Sequence, residues 1–560
     1  MQELKNALKD SSKNLFNTDI EPEVTRPDER FGDYSTNLAL QLAVGIGKNP
    51  GDIAQQLADN LKSLSFLEKV AVAGPGFLNF RLTDEVVSSE IHSVNQNYGQ
   101  NRLYADQVIV AEYSDPNPFK TLHAGHLYTS IIGDAIAKLL ENAGADKVWR
   151  VNFGGDVGLH VAKSIWAIIN KMGGENPDDL SAIPSSDRPS WLSERYIEGN
   201  TAYEDNPSAK PAIEELNVRI YKLHERGDKE SPLAKIYWTA RQWSYQYFQD
   251  FYNKIGSRFD KYYSESETAP IGLKVVKEQL GQDVFRSSDG AIIFDGEKYG
   301  LHTRVFINSQ GLPTYETKDI GLIIKKRDDY HFDHSIVITG NDIEQYMQVV
   351  LKAVEQFEPG LAKATTHLTH GIVKLKGEGK MSSRKGNIFS AEDVIEAARR
   401  ASQTAKVSSD QKVILGAIKY SFLKHRIGAD IIYDPAESVS LDGNSGPYLQ
   451  YAHARARSII QKAGVERPAA DFTGLEPAER SLARKISEYP EAVHKATVEL
   501  MPHHVTAYLY ELAQAFNRFY ETNRVIGDPR GSLRLGLVSA YAQVLKNGLD
   551  LLNIDAPEHM

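Results

Sequence analysis

A chain of 560 residues is too long for a single hydrophobic core, so we expect three or four domains. It contains no cysteine, which excludes disulfide bonds, thiolate catalysis and cysteine-ligated zinc sites. The net charge of −10 argues mildly against nucleic-acid partners, although local basic patches matter more than the total, and no apolar run is long enough to span a bilayer.

The first hundred residues predict a small, separate α+β domain. Apolar residues recur at helical spacing over 1–14 and 52–64, and residues 31–35 are predicted to initiate a third helix. Two short apolar stretches within 70–82 flank a Gly-Pro-Gly sequence, which predicts two strands joined by a turn. Taken alone, this domain would be interpreted as a packing module.

The sequence VIVAEYSDPNPFKTLHAGHL, at 108–127, predicts a strand, a loop and the start of a helix. A β-branched apolar run is followed by two prolines, and helical spacing of apolar residues begins at His123. A helix start presents unpaired N–H groups and the positive end of the helix dipole, which favour anions. Gly125 leaves room for a flat ring or a phosphate to approach the backbone closely.

Taken alone, the spacing of His123 and His126 has other interpretations. Two such histidines can be surface or capping residues, and two histidines at this spacing can also share a metal ion. Zinc is disfavoured, because the chain has no cysteine and no acidic or histidine partner stands nearby at a recognisable ligand spacing.

Beyond this point a parallel α/β pattern is interrupted by an insertion. Residues 148–153 predict the next buried strand, and the glycine-rich loop 154–158 follows it, where open α/β sheets place their ligands. Residues from about 160 to 270 are helical, polar and broken by prolines, which predicts the insertion. A hairpin within 291–307 and a third core strand at 335–339 complete this part.

A second motif and a helical tail follow. The sequence KMSSRKG, at 380–386, stands in a loop bracketed by glycines. After about residue 405, five segments show apolar residues at helical spacing, which predicts an all-α bundle: 413–426, 447–463, 477–489, 502–522 and 533–552.

The two motifs together resemble the HIGH and KMSKS motifs of class I aminoacyl-tRNA synthetases, and AEYSDPNPFKTLHAGHL is similar to the arginyl-tRNA synthetases. FGDYSTNLALQLA and GPGFLNFRL resemble the amino-terminal domain special to that family, while NSGPYLQYAHAR and LDLLNIDAPEHM resemble its helical anticodon-binding domain. The resemblance covers essentially the whole chain. It implies a tRNA-contacting α+β domain at 1–100, a Rossmann-like class I catalytic domain at 106–405 with the insertion at about 160–270, and an all-α anticodon-binding domain at 406–560.

The resemblance also implies the reaction, which is ATP-dependent joining of L-arginine to tRNA(Arg) with release of AMP and pyrophosphate. Mg²⁺ would be carried by ATP, and activation would require tRNA. Negative charge builds on the α-phosphate and the leaving pyrophosphate, so positioned donors and cations supply most of the catalysis. The expected catalytic residues on the phosphate side are His123, His126, Lys380 and Lys120, and the expected ATP-binding residues are Gly125, Met381, Ser382 and Ser383.

The second motif departs from the family pattern at one position. The second Lys of KMSKS falls on Ser383, so that charge is missing from the loop. Lys120 stands three residues before His123, where many arginyl enzymes carry a Lys, and we expect it to supply the missing cation. Arg384 and Lys385 are the competing candidates.

A guanidinium group is a fixed fork of donors, so selection of arginine needs planar acidic partners. By resemblance, Tyr315 and Asp319 would face the guanidinium, with Glu112 as a further acidic neighbour and Asp342 where many relatives carry Gln. Without the motif context, Tyr315 and Asp319 would be interpreted as a solvated turn. Also by resemblance, the amino-acid end of the substrate would be held by Asn117, the Asp115 backbone and His126.

In the tail, Tyr448, Tyr451 and Arg455 share one predicted helix and suit stacking on splayed bases and contact with phosphates, which makes them the expected tRNA-binding residues. An ordinary bundle with core tyrosines is the alternative.

Two other functions compete with the synthetase: a nucleotidyltransferase that makes a small adenylate without tRNA, and a silent paralogue that only binds RNA or a partner. No charged-then-apolar leader opens the sequence, so we expect a cytoplasmic monomer without membrane contact.

Overall fold

A computed structural model describes the whole chain except residues 377–388, 409, 467 and 469. The KMSSRKG motif at 380–386, with its predicted residues Lys380, Met381, Ser382, Ser383, Arg384 and Lys385, therefore lies outside the described residues. Within the described ranges, no helix is long and apolar enough to cross a membrane.

The amino-terminal residues form a four-stranded antiparallel sheet in the order β1-β2-β4-β3, covered by helices. The apolar faces of these elements enclose a core of their own, in which Leu8, Ile53 and Leu57 are fully buried. The elements are α1 (Gln2–Phe16), β1 (Val24–Thr25), β2 (Tyr34–Thr36), α2 (Leu38–Ile46), α3 (Pro50–Leu61), β3 (Leu67–Ala73), β4 (Phe77–Leu82) and α4 (Asp84–Ser93).

The two strands predicted around the Gly-Pro-Gly turn are confirmed as β3 and β4. The prediction that residues 31–35 initiate a helix is wrong in part, because Tyr34–Thr36 is a strand. The Asp33 N–H donates to the Phe80 carbonyl at 2.7 Å, which draws this segment onto the edge of β4. The helix begins only at Leu38, whose N–H donates to the Thr36 hydroxyl at 3.2 Å.

The centre of the molecule is a five-stranded parallel sheet in the order β12-β11-β5-β6-β7. The central strand of this sheet, β5, comes first in the sequence. The chain adds β6 and β7 on one side of it and β11 and β12 on the other, so the direction of strand addition reverses at β5. The carboxyl ends of parallel strands on either side of such a reversal form a crevice. The strands are β5 (Val108–Glu112), β6 (Lys147–Gly154), β7 (Lys261–Ser264), β11 (His334–Gly340) and β12 (Thr365–His370).

Helices and a small hairpin sheet surround the central sheet. The predicted hairpin within 291–307 is confirmed as β9 and β10, and β8 adds a third antiparallel strand. The remaining elements up to residue 364 are α5 (Ala124–Asn142), α6 (Leu159–Lys171), α7 (Arg188–Asp205), α8 (Ala209–Arg226), α9 (Pro232–Ile255), α10 (Glu265–Leu280), β8 (Arg286–Ser288), β9 (Ala291–Phe294), β10 (Arg304–Ile307), α11 (Tyr315–Tyr330), α12 (Glu344–Phe357) and α13 (Pro359–Ala364).

Helices α6 to α9 lie within the stretch predicted as the insertion and pack around a separate apolar cluster that includes Ile165, Ile213 and Ile236. The stretch from about 160 to 270 is not helical throughout. Helix α9 ends at Ile255, Lys261–Ser264 is β7, which pairs with β6 at the edge of the parallel sheet, and α10 begins at Glu265.

The tail contains the predicted helices and one strand that was not expected. Residues Ile431–Tyr433 alternate between buried and exposed side chains, with Ile432 pointing outward at 67% exposure, and they pair in parallel with Val373–Leu375. The elements are β13 (Val373–Leu375), α14 (Ala391–Thr404), α15 (Gln411–Leu423), β14 (Ile431–Tyr433), α16 (Pro435–Ser438), α17 (Gly446–Ala463), α18 (Pro477–Ser487), α19 (Tyr489–Glu499), α20 (His503–Thr522) and α21 (Gly531–Leu551).

The amino-terminal sheet docks on helices α18 and α19 through ion pairs. Arg480 donates to Asp33 at 2.8 Å, and both side chains are almost completely buried. Arg484 lies 3.6 Å from the same carboxylate, while Arg26 pairs with Glu491 at 2.8 Å. Because breaking a buried pair leaves an uncompensated charge, this contact holds the two ends of the chain together.

Candidate active site

The first motif lies at the amino terminus of α5, with both imidazoles turned back onto the helix start. The Gly125 N–H donates to Nδ1 of His123 at 3.1 Å, and the His123 N–H donates to Nδ1 of His126, also at 3.1 Å. This reciprocal pair is a capping box in which histidines replace the usual hydroxyl and carboxylate. The two ring centroids are 3.7 Å apart.

This geometry defines the tautomer of both histidines. A neutral imidazole accepts at one nitrogen and donates at the other, so Nε2 carries the proton in each ring. Burial, with the Lys120 charge and His370 adding to it, lowers the pKa of His123 to about 3. Burial and the neighbouring His123 hold the pKa of His126 well below its ordinary value. At neutral pH the site therefore presents two uncharged N–H donors.

Gly125 is required by the imidazole of His123 as well as by any ligand. A Cβ atom at this position would lie 2.9 Å from Nδ1 and Cε1 of that ring, which is too close for the ring to stay where it accepts the Gly125 N–H. Glycine at this position is therefore explained by the contact with the His123 ring as well as by the room that it leaves for a ligand.

Lys120 lies near the same helix start. Burial is the main cause of the lowered pKa of His123, His126 and His160, and the charge of Lys120 adds to it in all three. Burial lowers the pKa of Lys120 itself, and its Nζ lies 5.5 Å from the centre of the Tyr196 ring. Among the described residues no carboxylate lies within ion-pair distance of Nζ. Such an uncompensated, desolvated cation suits an anionic ligand.

The chain returns to this helix start after the second motif. Residue 389 follows directly on the undescribed stretch, and the Ala124 N–H donates to the Phe389 carbonyl at 3.0 Å. The Ala391 N–H donates to the Leu122 carbonyl at 2.9 Å. The backbone that follows the second motif in sequence is therefore hydrogen-bonded to the backbone that carries the first.

A second group of polar residues forms one hydrogen-bonded chain across the crevice. Oδ1 of Asn117 accepts the Gly155 N–H at 2.9 Å, and the Gly155 carbonyl accepts Nε2–H of His160 at 2.8 Å. Nδ1 of His160 is 3.2 Å from the hydroxyl of Tyr315, which is 52% exposed. The structure thus brings together Asn117, from the loop after β5, and Tyr315, from the start of α11, which are both predicted to contact the substrate.

His160 was not predicted, although it stands directly beyond the glycine-rich loop at 154–158, and that position was the available signal. Burial lowers the pKa of His160 to about 3, so it is a neutral bridge. It both accepts from a hydroxyl and donates to a carbonyl, which orients Tyr315 relative to the loop.

Asp319 lies one helical turn beyond Tyr315 on α11. Its Oδ2 accepts a hydrogen bond from the hydroxyl of Tyr346 on α12, a residue that the sequence patterns did not single out. Burial, reinforced by the charges of Glu112 and Glu265, raises the pKa of Asp319 well above its ordinary value. A cationic partner would stabilise the ionised form of this carboxyl, because the positive charge offsets both the lost solvation and the nearby negative charges.

The other predicted acidic residues occupy different environments. Glu112 is buried and forms an ion pair with Lys326, so its charge is already compensated within the described structure. Oδ1 of Asp115 accepts the Phe153 N–H at 2.7 Å, which ties the loop after β5 to β6. Asp342 is exposed in the short turn that follows β11 and makes no hydrogen bond to the Asn117–Tyr315 chain.

The predicted tRNA-binding residues lie on α17 with different degrees of exposure. Tyr451 is 46% exposed. The Tyr448 hydroxyl accepts from Asn517 at 2.7 Å, and the guanidinium of Arg455 lies 4.5 Å from the centre of the Tyr520 ring. His453, on the same helix, is buried and its Nδ1 is 2.8 Å from the Pro557 carbonyl. Polar and aromatic residues of α17 are therefore only partly presented to solvent.

The described residues contain no group of three or more His, Asp or Glu side chains arranged to hold a metal ion. The arrangement instead combines two neutral N–H donors and one unpaired cation at the start of α5 with the partly buried carboxyl of Asp319 on α11. This combination fits a phosphate group on one side and a cationic ligand on the other.

Family models match three consecutive parts of the chain. An arginyl-tRNA synthetase amino-terminal domain matches residues 2–82, and a class I (R) tRNA synthetase catalytic domain matches residues 88–434. The catalytic model covers more than half of the chain. The chain belongs to the arginyl-tRNA synthetase family. The DALR anticodon-binding domain matches residues 449–560, so the family's domains occur here in order.

Individual relatives agree with this membership over their whole lengths. The arginine–tRNA ligase of Clostridium perfringens is 32% identical over 95% of this chain and 95% of its own, and that of Lactobacillus delbrueckii subsp. bulgaricus is 31% identical over 97% and 96%. The Thermus thermophilus arginyl-tRNA synthetase structure covers all of both chains with a TM-score of 0.82 at 27% identity. A Plasmodium falciparum structure of the family shares the fold, with a TM-score of 0.81 at 20% identity over 100% of this chain and 99% of its own.

Proposed function

We propose that this chain attaches L-arginine to tRNA(Arg) in two steps. An oxygen of the arginine carboxylate attacks the α-phosphorus of ATP, and the bond from that phosphorus to the bridging oxygen breaks, so pyrophosphate leaves. A ribose hydroxyl at the 3′ end of the tRNA then attacks the carbonyl carbon of the adenylate, and AMP leaves. The observation that carries this proposal is the pair of neutral Nε2–H donors beside an unpaired lysine at the start of α5.

On the phosphate side, His123 and His126 donate to oxygens of ATP, and Lys120 compensates the charge that builds on the leaving pyrophosphate. Neutral imidazoles suit this role, because they donate without first giving up or taking up a proton. Preorganised donors of this kind each contribute about 10²–10³ in rate. Lys380, Met381, Ser382 and Ser383 belong to the same proposal from the sequence motif.

On the amino-acid side, Asp319 pairs with the guanidinium and Tyr315 lies beside it. Asn117, held by the Gly155 N–H, directs its remaining amide group to the amino-acid end of the substrate, with Asp115 shaping the loop. Glu112 contributes negative potential rather than a direct contact, since Lys326 already pairs with it. Asp342 contributes negative potential from the exposed turn after β11.

The remaining parts of the proposal concern the partners. Mg²⁺ would be carried by ATP and would neutralise part of the polyphosphate charge. The domains at 1–100 and 406–560 contact tRNA on either side of the catalytic domain at 106–405, and Tyr448, Tyr451 and Arg455 meet the anticodon arm. The protein acts as a cytoplasmic monomer.

Charging of total tRNA with radiolabelled arginine tests this function directly. We expect acid-precipitable label only when ATP and tRNA are both present, and none when lysine replaces arginine. His126→Ala should reduce charging by about 10²–10³, whereas His302→Ala, a substitution on the exposed surface, should not. Release of pyrophosphate from ATP without tRNA and without acid-precipitable label would favour the small-molecule nucleotidyltransferase, and tRNA binding without incorporation would favour the silent paralogue.

A further inference from the structure

The backbone between Phe119 and Leu122, which carries Lys120 and leads into the first motif, is held by side chains of the insertion. The Phe119 N–H donates to Oγ of Ser244 at 2.9 Å, and the Thr121 N–H donates to Oγ of Ser193 at 3.0 Å. The Leu122 N–H donates to the hydroxyl of Tyr247 at 3.3 Å.

These three hydroxyls come from two different helices of the insertion, Ser193 from α7 and the other two from α9. Ser244 donates its own proton to the Ala240 carbonyl at 3.0 Å, which leaves its lone pairs for the Phe119 N–H. Ser193 also lies 2.9 Å from Oγ1 of Thr121, so it contacts that residue twice. The Ser244 hydroxyl is therefore oriented by its own helix, and Ser193 is joined to Thr121 through both the backbone N–H and the hydroxyl of Thr121.

The loop cannot hold this shape by itself. Phe119 has φ of 72°, a left-handed conformation that is unfavourable for a residue with a side chain and persists only where the surroundings hold it. Within the described chain, the N–H groups of Phe119, Thr121 and Leu122 have no backbone carbonyl as partner. A change in the position of α7 or α9 is therefore transmitted to Lys120 and His123.

We propose that Ser193, Ser244 and Tyr247 are positioning residues for the ATP-binding step, through which the insertion sets the place of the Lys120 ammonium group and the start of α5. The inference rests on the proposed function, because it assumes that this loop meets the phosphates. It assigns the insertion a part in the chemistry although none of the three hydroxyls touches the substrates.

The experiment compares Ser193→Ala and Tyr247→Phe, singly and together, with the full-length protein in the charging assay. A hydrogen bond of this kind is worth about 0.5–1.5 kcal/mol, so each change should lower kcat/KM for ATP about two- to twelvefold, while the KM for arginine stays within twofold. Ser193→Thr keeps a hydroxyl and should restore kcat/KM for ATP. The matched controls are Ser190→Ala and Tyr203→Phe on α7, whose hydroxyls bond to Asp187 and Glu214 away from the loop.

Calorimetric titration with a non-hydrolysable ATP analogue gives a second measurement, in which the double variant should bind more weakly at an unchanged Tm. An unchanged kcat/KM for ATP in the double variant would overturn the inference. So would equal losses for ATP and arginine with a lowered Tm, which would indicate a merely structural role. Failure of the wild-type protein to charge tRNA would instead overturn the proposed function, so the two failures are distinguishable.

Discussion

The hydroxyl of Tyr346 on α12 donates a hydrogen bond to Oδ2 of Asp319 on α11, and this contact caps the carboxylate that is proposed to receive the substrate. A guanidinium entering the crevice either displaces the tyrosine or pairs with the remaining oxygen. The carboxylate is thus presented with one partner already in place, which limits the directions from which a planar cation can approach it.

We expect Asp319→Asn to raise the KM for arginine by about 100-fold or more, because a buried guanidinium without a carboxylate costs about 3 kcal/mol or more. The KM for ATP should hardly change. The variant should also discriminate less between arginine and citrulline, which keeps the shape but lacks the charge. Steady-state charging kinetics measure all three quantities.

Asp328→Asn, an exposed change on the same helix, is the matched control for that experiment. Tyr315→Phe should give a smaller effect of the same kind if its hydroxyl contacts the substrate. An arginine KM that Asp319→Asn leaves unaltered would assign the acidic partner to Glu112 or Asp342.

Arginine binding should weaken as the pH falls, at a pH higher than an ordinary aspartate would require. Burial and the nearby charge of Glu112 raise the pKa of Asp319, and only the ionised carboxylate pairs with the guanidinium. Below the raised pKa the free protein holds a proton that arginine must expel. In calorimetric titrations between about pH 5 and pH 8, the Kd for arginine should therefore decrease as the pH rises. The number of protons released on arginine binding should decrease over the same range.

The same titration with Asp319→Asn provides the control, since that variant should bind weakly and lose most of this dependence. A Kd for the wild-type protein that stays constant over the whole range would contradict the assignment of the cation to this carboxylate.

His126→Ala or His123→Ala should reduce charging by about 10²–10³, because each removes one preorganised donor. Since the pKa of His123 is about 3, neither ring titrates near neutrality, and kcat/KM for ATP should show no imidazole titration between about pH 6 and 8. The fold and tRNA affinity should be retained. A bell-shaped profile lost in His126→Ala would mean that this histidine transfers a proton.

Lys120→Ala should impair the ATP-dependent step about as much as Lys380→Ala, because it removes the one unpaired cation that the described residues place at the start of α5. Pyrophosphate exchange in the presence of tRNA measures this step, and Lys171→Ala, at the exposed end of α6, is the control. Near-normal exchange in Lys120→Ala would transfer the compensating role to Arg384 or Lys385.

Deletion of residues 1 to about 85 should weaken tRNA affinity and leave arginine affinity largely unaffected, because the removed sheet lies outside the central crevice. The deletion also leaves Arg480 and Arg484 without Asp33, so both proteins should carry Arg480→Gln and Arg484→Gln for a fair comparison. Filter binding with labelled tRNA measures the difference. Equal affinities would mean that the amino-terminal domain is only a packing module.

The sequence alone was sufficient to predict those structural elements that depend on residues close together in the chain. The strand at Val108–Glu112, the helix start at His123 and the paired strands around residues 74–76 were all predicted and are present, because β-branched runs, helical spacing and turn residues act over a few positions. The family motifs are also contiguous, so the class of reaction followed from them. The capping contact between His123 and His126 spans three residues, which lies within the same local range.

Only the tertiary structure decided which distant side chains meet. Lys326 neutralises Glu112 from 214 positions away, and Ser193 holds Thr121 from 72 positions away. The strand at Tyr34–Thr36 likewise exists because β4 offers it a partner, which no local pattern indicates. The physical reason is that a polar side chain can pair with many others of its kind, and the packing of helices and strands around buried apolar surface selects the partner.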